Sequence, residues 1–175
     1  TMAKLIETNE GYAPAHEIDD WDFPLYSEIL PGLWVGGTDD MDTIEYSGNL
    51  HAPKAITKKD FDAVVTLYAW ANPVDWMVEE MRFGFYDSDV DHIDREALAS
   101  AVGFARRKWQ AGKKVLIRCQ AGLNRSGLTA ALVLMQSGYT ADEAITLLRD
   151  KRSKYVLCNG EFEKFLRTLN ETDNE

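Results

Sequence analysis

Cys119 and Arg125 stand at the two ends of the segment Cys119-Gln-Ala-Gly-Leu-Asn-Arg125, and their types and spacing suit chemistry on an anion. The apolar run Val115-Leu-Ile precedes this segment and the nearly all-apolar stretch Gly127 to Gln136 follows it. It therefore reads as a loop joining a buried strand to a buried helix. At such a junction the backbone N–H groups lack helical partners and point into the crevice at the carboxyl end of the sheet. Those of Gln120, Ala121, Gly122, Leu123 and Asn124 make a cradle for a tetrahedral dianion, reinforced by the positive end of the helix that begins near Ser126. The planar fork of Arg125 can bind two oxygens of that anion at once. A thiol at a helix N-terminus beside a cation favours the thiolate. A thiolate beneath a bound phosphoryl group can attack phosphorus and form a phosphocysteine, which splits one hard displacement into two easier ones.

The elements that position this loop alternate along the chain. Ile29 to Gly37 suggests a turn at Pro31-Gly32 followed by a short strand. Ala63 to Ala69, Arg82 to Tyr86 and Val115 to Ile117 read as strands buried on both faces. Ile93 to Gln110 carries apolar residues at helical spacing, with Asp91 or Asp94 as candidate caps. After Gly138, Thr140-Ala-Asp-Glu143 is a capping box for the next helix, and a last helix runs from about Asn159 to Leu169. The spacing predicts an α/β sandwich, with a mostly parallel central sheet of four to five strands flanked by helices on both faces. Residues 1–24 read as an arm with little regular structure, 25–170 as one folded domain and 171–175 as an acidic tail, while 38–60 reads as loop with at most a short helix.

Cys119 to Arg125 matches the Cys-(five residues)-Arg signature of the protein tyrosine phosphatase superfamily. The run Gln120-Ala-Gly-Leu-Asn-Arg-Ser-Gly most resembles its dual-specificity branch. Glu28-Ile-Leu-Pro-Gly-Leu-Trp-Val-Gly resembles the first strand of that branch, and Asp150-Lys-Arg-Ser with Asn159, Phe162 and Phe165 resembles its closing helices, so residues 27–169 are covered. The resemblance implies the cysteine-phosphatase fold and a general acid on a loop about thirty residues before the cysteine. In Asp87-Ser-Asp89-Val-Asp91 that acid is Asp87, with Asp89 as the alternative and Asp91 as a helix cap. By the same resemblance Ser126 stabilises the departing thiolate, although a plain N-cap is a competing role. Asn159 either braces the phosphate loop from behind or simply starts a helix. The family usually places a histidine before the nucleophile. Arg118 stands there instead, which implies altered tuning of Cys119 because arginine cannot accept a hydrogen bond.

Composition narrows the substrate. A net charge of −10 repels polyanions and disfavours nucleic acid. That counts against the RNA 5′-triphosphatases whose loop Gly122-Leu-Asn-Arg-Ser-Gly also resembles. No lysine lies between Cys119 and Arg125, which disfavours phosphoinositides. The basic cluster Arg106, Arg107, Lys108, Lys113 and Lys114 reads as a solvated face. What remains is a phosphorylated protein or peptide, with phosphotyrosine foremost and phosphoserine or phosphothreonine beside it. A catalytically silent phosphate-binding domain is the alternative, supported by the absent histidine. Tyr46, His51, Tyr68, Trp70 and Trp76 are candidates to stack on a phenyl ring, though core is the first reading. With two cysteines and no metal or dinucleotide motif, no metal or other cofactor is expected. Cys158 is expected to be a buried inert thiol, a reversible disulfide with Cys119 being the alternative. No run is apolar enough to cross a bilayer and no secretory pattern opens the chain, so a cytoplasmic location is expected.

Overall fold

The computed structural model describes residues 22–44 and 55–169, and the backbone of Leu5–Thr8, Gly11–Pro14 and residues 170–172. Within the 1–24 segment, β1 (Leu5–Thr8) pairs antiparallel with β2 (Gly11–Pro14), Leu5 facing Pro14 and Thr8 facing Gly11. The central sheet is built from β3 (Tyr26–Leu30), β4 (Leu33–Gly36), β5 (Ala63–Thr66), β6 (Glu79–Arg82) and β7 (Val115–Arg118). Its order is β3-β4-β7-β5-β6, and every pair but the β3/β4 hairpin is parallel. The helices are α1 (Arg95–Gln110), α2 (Arg125–Gln136), α3 (Ala141–Lys151) and α4 (Gly160–Thr172). This is the mostly parallel sheet flanked by helices that the sequence predicts.

Local chemistry explains the order of the elements. The β3/β4 hairpin turns at Pro31-Gly32, where Gly32 takes the left-handed φ of +84° that residues with a side chain resist. Trp109 Nε1 donates to the Pro31 carbonyl at 2.9 Å and ties that turn to the end of α1. β5 and β7, two of the three interior strands, are buried at all four positions, as expected of strands covered on both faces. Asp94 caps α1 by accepting from Ala97 N at 3.0 Å. Asp91, expected to cap that helix, instead lies in the 3-10 turn Val90–His92. The Thr140/Glu143 capping box forms in both directions.

The fourth strand departs from expectation. Arg82 to Tyr86 reads as a buried strand, but the ladder runs through Glu79–Arg82 and its residues are exposed or half-buried. An edge strand needs no apolar run. The apolar Phe83 and Phe85 lie just past it: Phe83 N–H still donates to Thr66 O at 2.9 Å, and Phe85 packs against Phe162 with ring centres 6.3 Å apart.

Buried residues of all four helices join one large cluster with Ile29, Leu33, Val35, Val65 and Ile117. On the other face Val64 and Leu116 pack with Ile56, Phe61 and Val78, and no helix contributes to that cluster among the described residues. Of the expected loop 38–60, residues 38–44 and 55–60 contain turns without a helix. Residues 45–54, with Tyr46 and His51, lie outside the described residues.

Candidate active site

β7 lies between its parallel neighbours β4 and β5, so the loop that leaves its carboxyl end opens between theirs. This is the crevice where open α/β sheets bind ligands. The loop from Cys119 to Asn124 is held from outside by its carbonyls. Thr38 Oγ1 donates to Cys119 O at 2.9 Å, and Thr38 N–H donates to Gln120 O at 2.9 Å. Arg152 donates through Nη2 to Ala121 O at 3.3 Å and through Nε to Gly122 O at 2.7 Å. Leu157 N–H donates to Leu123 O at 3.0 Å. With successive carbonyls turned outward and satisfied, the peptide N–H groups are left facing the concave side. Gly122 N–H points at Cys119 Sγ from 3.3 Å. A φ of +74° at Gly122 makes that turn, and a Cβ there would lie 2.5 Å from both Arg152 Nη2 and the Gly36 carbonyl carbon.

Cys119 is buried, with Sγ 3.2 Å from Ser126 Oγ. Ser126 sits inside the first turn of α2, because the N-cap position is Asn124. Arg125 is buried as the first residue of α2. Its Nη1 donates to Phe85 O at 3.1 Å, and its guanidinium lies 5.4 Å from the centre of the Tyr68 ring. Thus β7, the 83–86 stretch and α2 meet at one point.

Asp87 lies against this loop. Its Oδ2 accepts from Asn124 Nδ2 at 2.9 Å and its Oδ1 from Asn159 Nδ2 at 2.7 Å. Asp89 instead serves its own turn: Oδ1 accepts from Asp91 N at 3.0 Å and meets His92 Nδ1 at 2.7 Å. The hydrogen bond with His92 holds the Asp89 carboxyl below its ordinary value, and the same bond raises the His92 imidazole. Asn159 both opens α4, its Oδ1 accepting from Glu161 N at 3.0 Å, and donates to Ser88 O at 2.8 Å. It reaches the Cys119–Asn124 loop through its own N–H, which donates to Asn124 Oδ1 at 2.9 Å.

Arg118 points away from Cys119 and is fully buried. It donates to Thr66 Oγ1 (3.0 Å), Asp42 Oδ2 (3.1 Å) and Asn72 O (2.7 Å), and lies 3.5 Å from Glu80 Oε2. Burial is the larger influence on Asp42 and pushes its carboxyl up, against the pull of Arg118. Arg152 is the site residue that sequence reasoning passed over. Burial lowers its guanidinium to about 10, which leaves it charged at neutral pH. The available signal was an arginine at the end of an amphipathic helix, and such residues ordinarily face solvent. Burial pushes the Cys158 thiol up, and both cysteines are free. Of the stacking candidates, Tyr68 is buried, Trp70 packs on the core and Trp76 is 88% exposed. Among the described residues no three His, Cys, Asp or Glu side chains gather as a metal site requires, and no helix is long and apolar enough to cross a membrane.

A strand, an anion-shaped loop opened by cysteine and a helix opened by arginine define the class as the protein tyrosine phosphatase superfamily. Within it, the chain belongs to the family described as dual specificity phosphatase, catalytic domain, whose model matches residues 46–174. It is 29% identical over 150 residues to human dual specificity protein phosphatase 5, covering 83% of this chain and 34% of that protein, so the chain spans about a third of that relative's length. Among solved structures, Tk-PTP in its active form superposes with a TM-score of 0.63 at 26% identity, over 85% of this chain and 97% of the other. A mouse putative dual specificity phosphatase complexed with zinc tungstate gives 0.65 at 19% identity over 90% and 94%. Human DUSP28 gives 0.66 at 18% identity over 87% and 97%.

Proposed function

We propose that this chain hydrolyses phosphotyrosine in proteins or peptides through a phosphocysteine on Cys119, with phosphoserine and phosphothreonine as further substrates. The observation that carries the reading is the outward fixation of the loop carbonyls, which leaves Gly122 N–H on Cys119 Sγ with Ser126 Oγ beside it. Donors already aimed at the place where charge gathers need no reorganisation when the phosphoryl group arrives.

In the first step the Cys119 thiolate attacks phosphorus. The S–P bond forms, the bond to the phenolic oxygen breaks, and Asp87 gives its proton to that oxygen. Arg125 and the loop N–H groups hold the non-bridging oxygens throughout. In the second step water attacks phosphorus, Asp87 takes up a water proton, and the S–P bond breaks with its electron pair returning to sulfur. The Ser126 hydroxyl donates to the departing thiolate. The test is turnover of para-nitrophenyl phosphate, a phosphotyrosine peptide, a phosphothreonine peptide, a phosphoinositide and an RNA 5′-triphosphate by wild type and Cys119→Ser. Turnover of the aryl and peptide esters that vanishes in Cys119→Ser is expected. Vanadate binding without turnover would replace the reading by a silent phosphate-binding domain, and preference for the RNA substrate would replace the substrate class.

A further inference from the structure

We propose that Asn124 is a positioning residue for the general-acid step: its side-chain amide latches Asp87 onto the phosphate loop. The inference rests on the reading of Asp87 as the acid given above, and it assigns Asn124 a role beyond its backbone N–H.

The first observation is a bond that Asn124 does not make. It occupies the N-cap position of α2, where an asparagine ordinarily turns its oxygen onto an N–H of the first helical turn, a bond worth about 1 kcal/mol. Here the side chain makes no capping hydrogen bond. The N–H groups of that first turn stay available to an anion, and the side chain is committed elsewhere. It is 4% exposed, with Nδ2 on Asp87 Oδ2 at 2.9 Å and Oδ1 receiving Asn159 N–H at 2.9 Å. Both of its polar atoms therefore have partners outside the loop.

The second observation is that the latch has two points. Asn159 Nδ2 holds the other Asp87 oxygen at 2.7 Å and the next carbonyl, Ser88 O, at 2.8 Å. One amide comes from the loop and the other from the start of α4, so the Asp87 carboxyl is fixed in plane as well as in place. Each carboxyl oxygen retains a second lone pair, which leaves a site for the proton that passes to the leaving phenolic oxygen. Neither amide titrates in the working range, so the latch neither competes as an acid nor loosens with pH. Asp89, by contrast, bonds Asp91 N–H and His92 within its own turn. Displacing a catalytic group by about 1 Å can cost on the order of a hundredfold in rate, and a turn of loop with only local bonds would permit such a displacement.

The experiment compares phenyl phosphate, whose leaving phenol resembles that of tyrosine with a pKa of about 10, with para-nitrophenyl phosphate, whose more acidic phenol needs less protonation. The readout is the ratio of kcat/KM for the two esters in wild type, Asn124→Ser, Asn124→Ala, Asp87→Asn and Asp87→Asn with Asn124→Ala. The ratio is independent of the fraction of folded enzyme, so partial misfolding cannot mimic the result. Both Asn124 variants are expected to fall about tenfold or more further on phenyl phosphate than on the nitrophenyl ester. Adding Asn124→Ala to Asp87→Asn should leave the ratio where Asp87→Asn alone puts it. Equal losses on both esters in the Asn124 variants, with the ratio still shifted in Asp87→Asn, would overturn the latch and leave the acid assignment standing. An unshifted ratio in Asp87→Asn would overturn both, and wild type without Cys119-dependent turnover would overturn the functional reading itself.

Discussion

Replacing Arg118 with methionine keeps the volume of the side chain and deletes its charge. The guanidinium is fully buried, and its ionic partners are Asp42 at 3.1 Å and Glu80 at 3.5 Å. Glu80 retains Arg82 Nη1 at 3.2 Å and the Thr66 hydroxyl at 2.7 Å. Asp42 is less provided for: its side chain is 7% exposed, and the neutral Asn72 amide is the other side chain that hydrogen-bonds its carboxyl beside Arg118. Removing one member of a buried pair costs about 3–5 kcal/mol through the charge left behind. For a chain of this size that corresponds to a fall in Tm of about 6–20 °C. The assay is urea and thermal unfolding at several pH values. Burial already raises Asp42 above its ordinary 3.8 while Arg118 lowers it, so without Arg118 it rises further. A carboxyl whose folded-state pKa exceeds its unfolded one binds protons more readily when folded, so stability grows as pH falls through the raised value. The deficit of Arg118→Met is therefore largest near neutrality and shrinks in acid. Adding Asp42→Asn should recover most of it at pH 7. A deficit below about 1 kcal/mol, or one that neither acid nor Asp42→Asn relieves, would refute the assignment of the cost to an orphaned Asp42 charge.

Two further outcomes are expected. Gly122→Ala meets both a φ of +74° and contacts of 2.5 Å with Arg152 Nη2 and Gly36, so kcat/KM should drop by about tenfold or more through distortion of the cradle, as steady-state kinetics on para-nitrophenyl phosphate will show. His92 should titrate above its ordinary 6.5 by NMR because it bonds Asp89. The bond's contribution to stability is present below the unfolded imidazole value and is lost as pH rises through the raised one. Asp89→Asn should bring the His92 midpoint down, and an unmoved midpoint would exclude that cause.

How far the sequence could be read depended on how local each determinant is. The Thr140/Glu143 capping box closes over three residues, and the β7-loop-α2 unit is contiguous, so both were legible. β6 was misplaced because apolarity marks Phe83 and Phe85, which feed the core from beyond the ladder, while the edge strand itself is Glu-Glu-Met-Arg. The direction of the Arg118 side chain depends on Asp42, Asn72 and Glu80, partners 38 to 76 residues away. No spacing rule connects them. Asn124 was legible as a loop N–H but not as a side-chain donor, since its partners Asp87 and Asn159 lie 37 and 35 residues distant.

Arg152 makes part of the loop's support depend on a segment synthesised after the loop itself. It donates to Ala121 O and Gly122 O, and also to Pro24 O at 2.9 Å and Ser27 Oγ at 3.0 Å. Chains emerge from the N-terminal end first. A nascent chain that has just exposed Cys119 and Arg125 already carries Thr38, which holds Cys119 O and Gln120 O, but still lacks Arg152, which holds Ala121 O and Gly122 O. Part of the loop's outer support is thus made after the loop itself, when the residue that ends α3 joins Ala121 and Gly122 to Pro24 and Ser27.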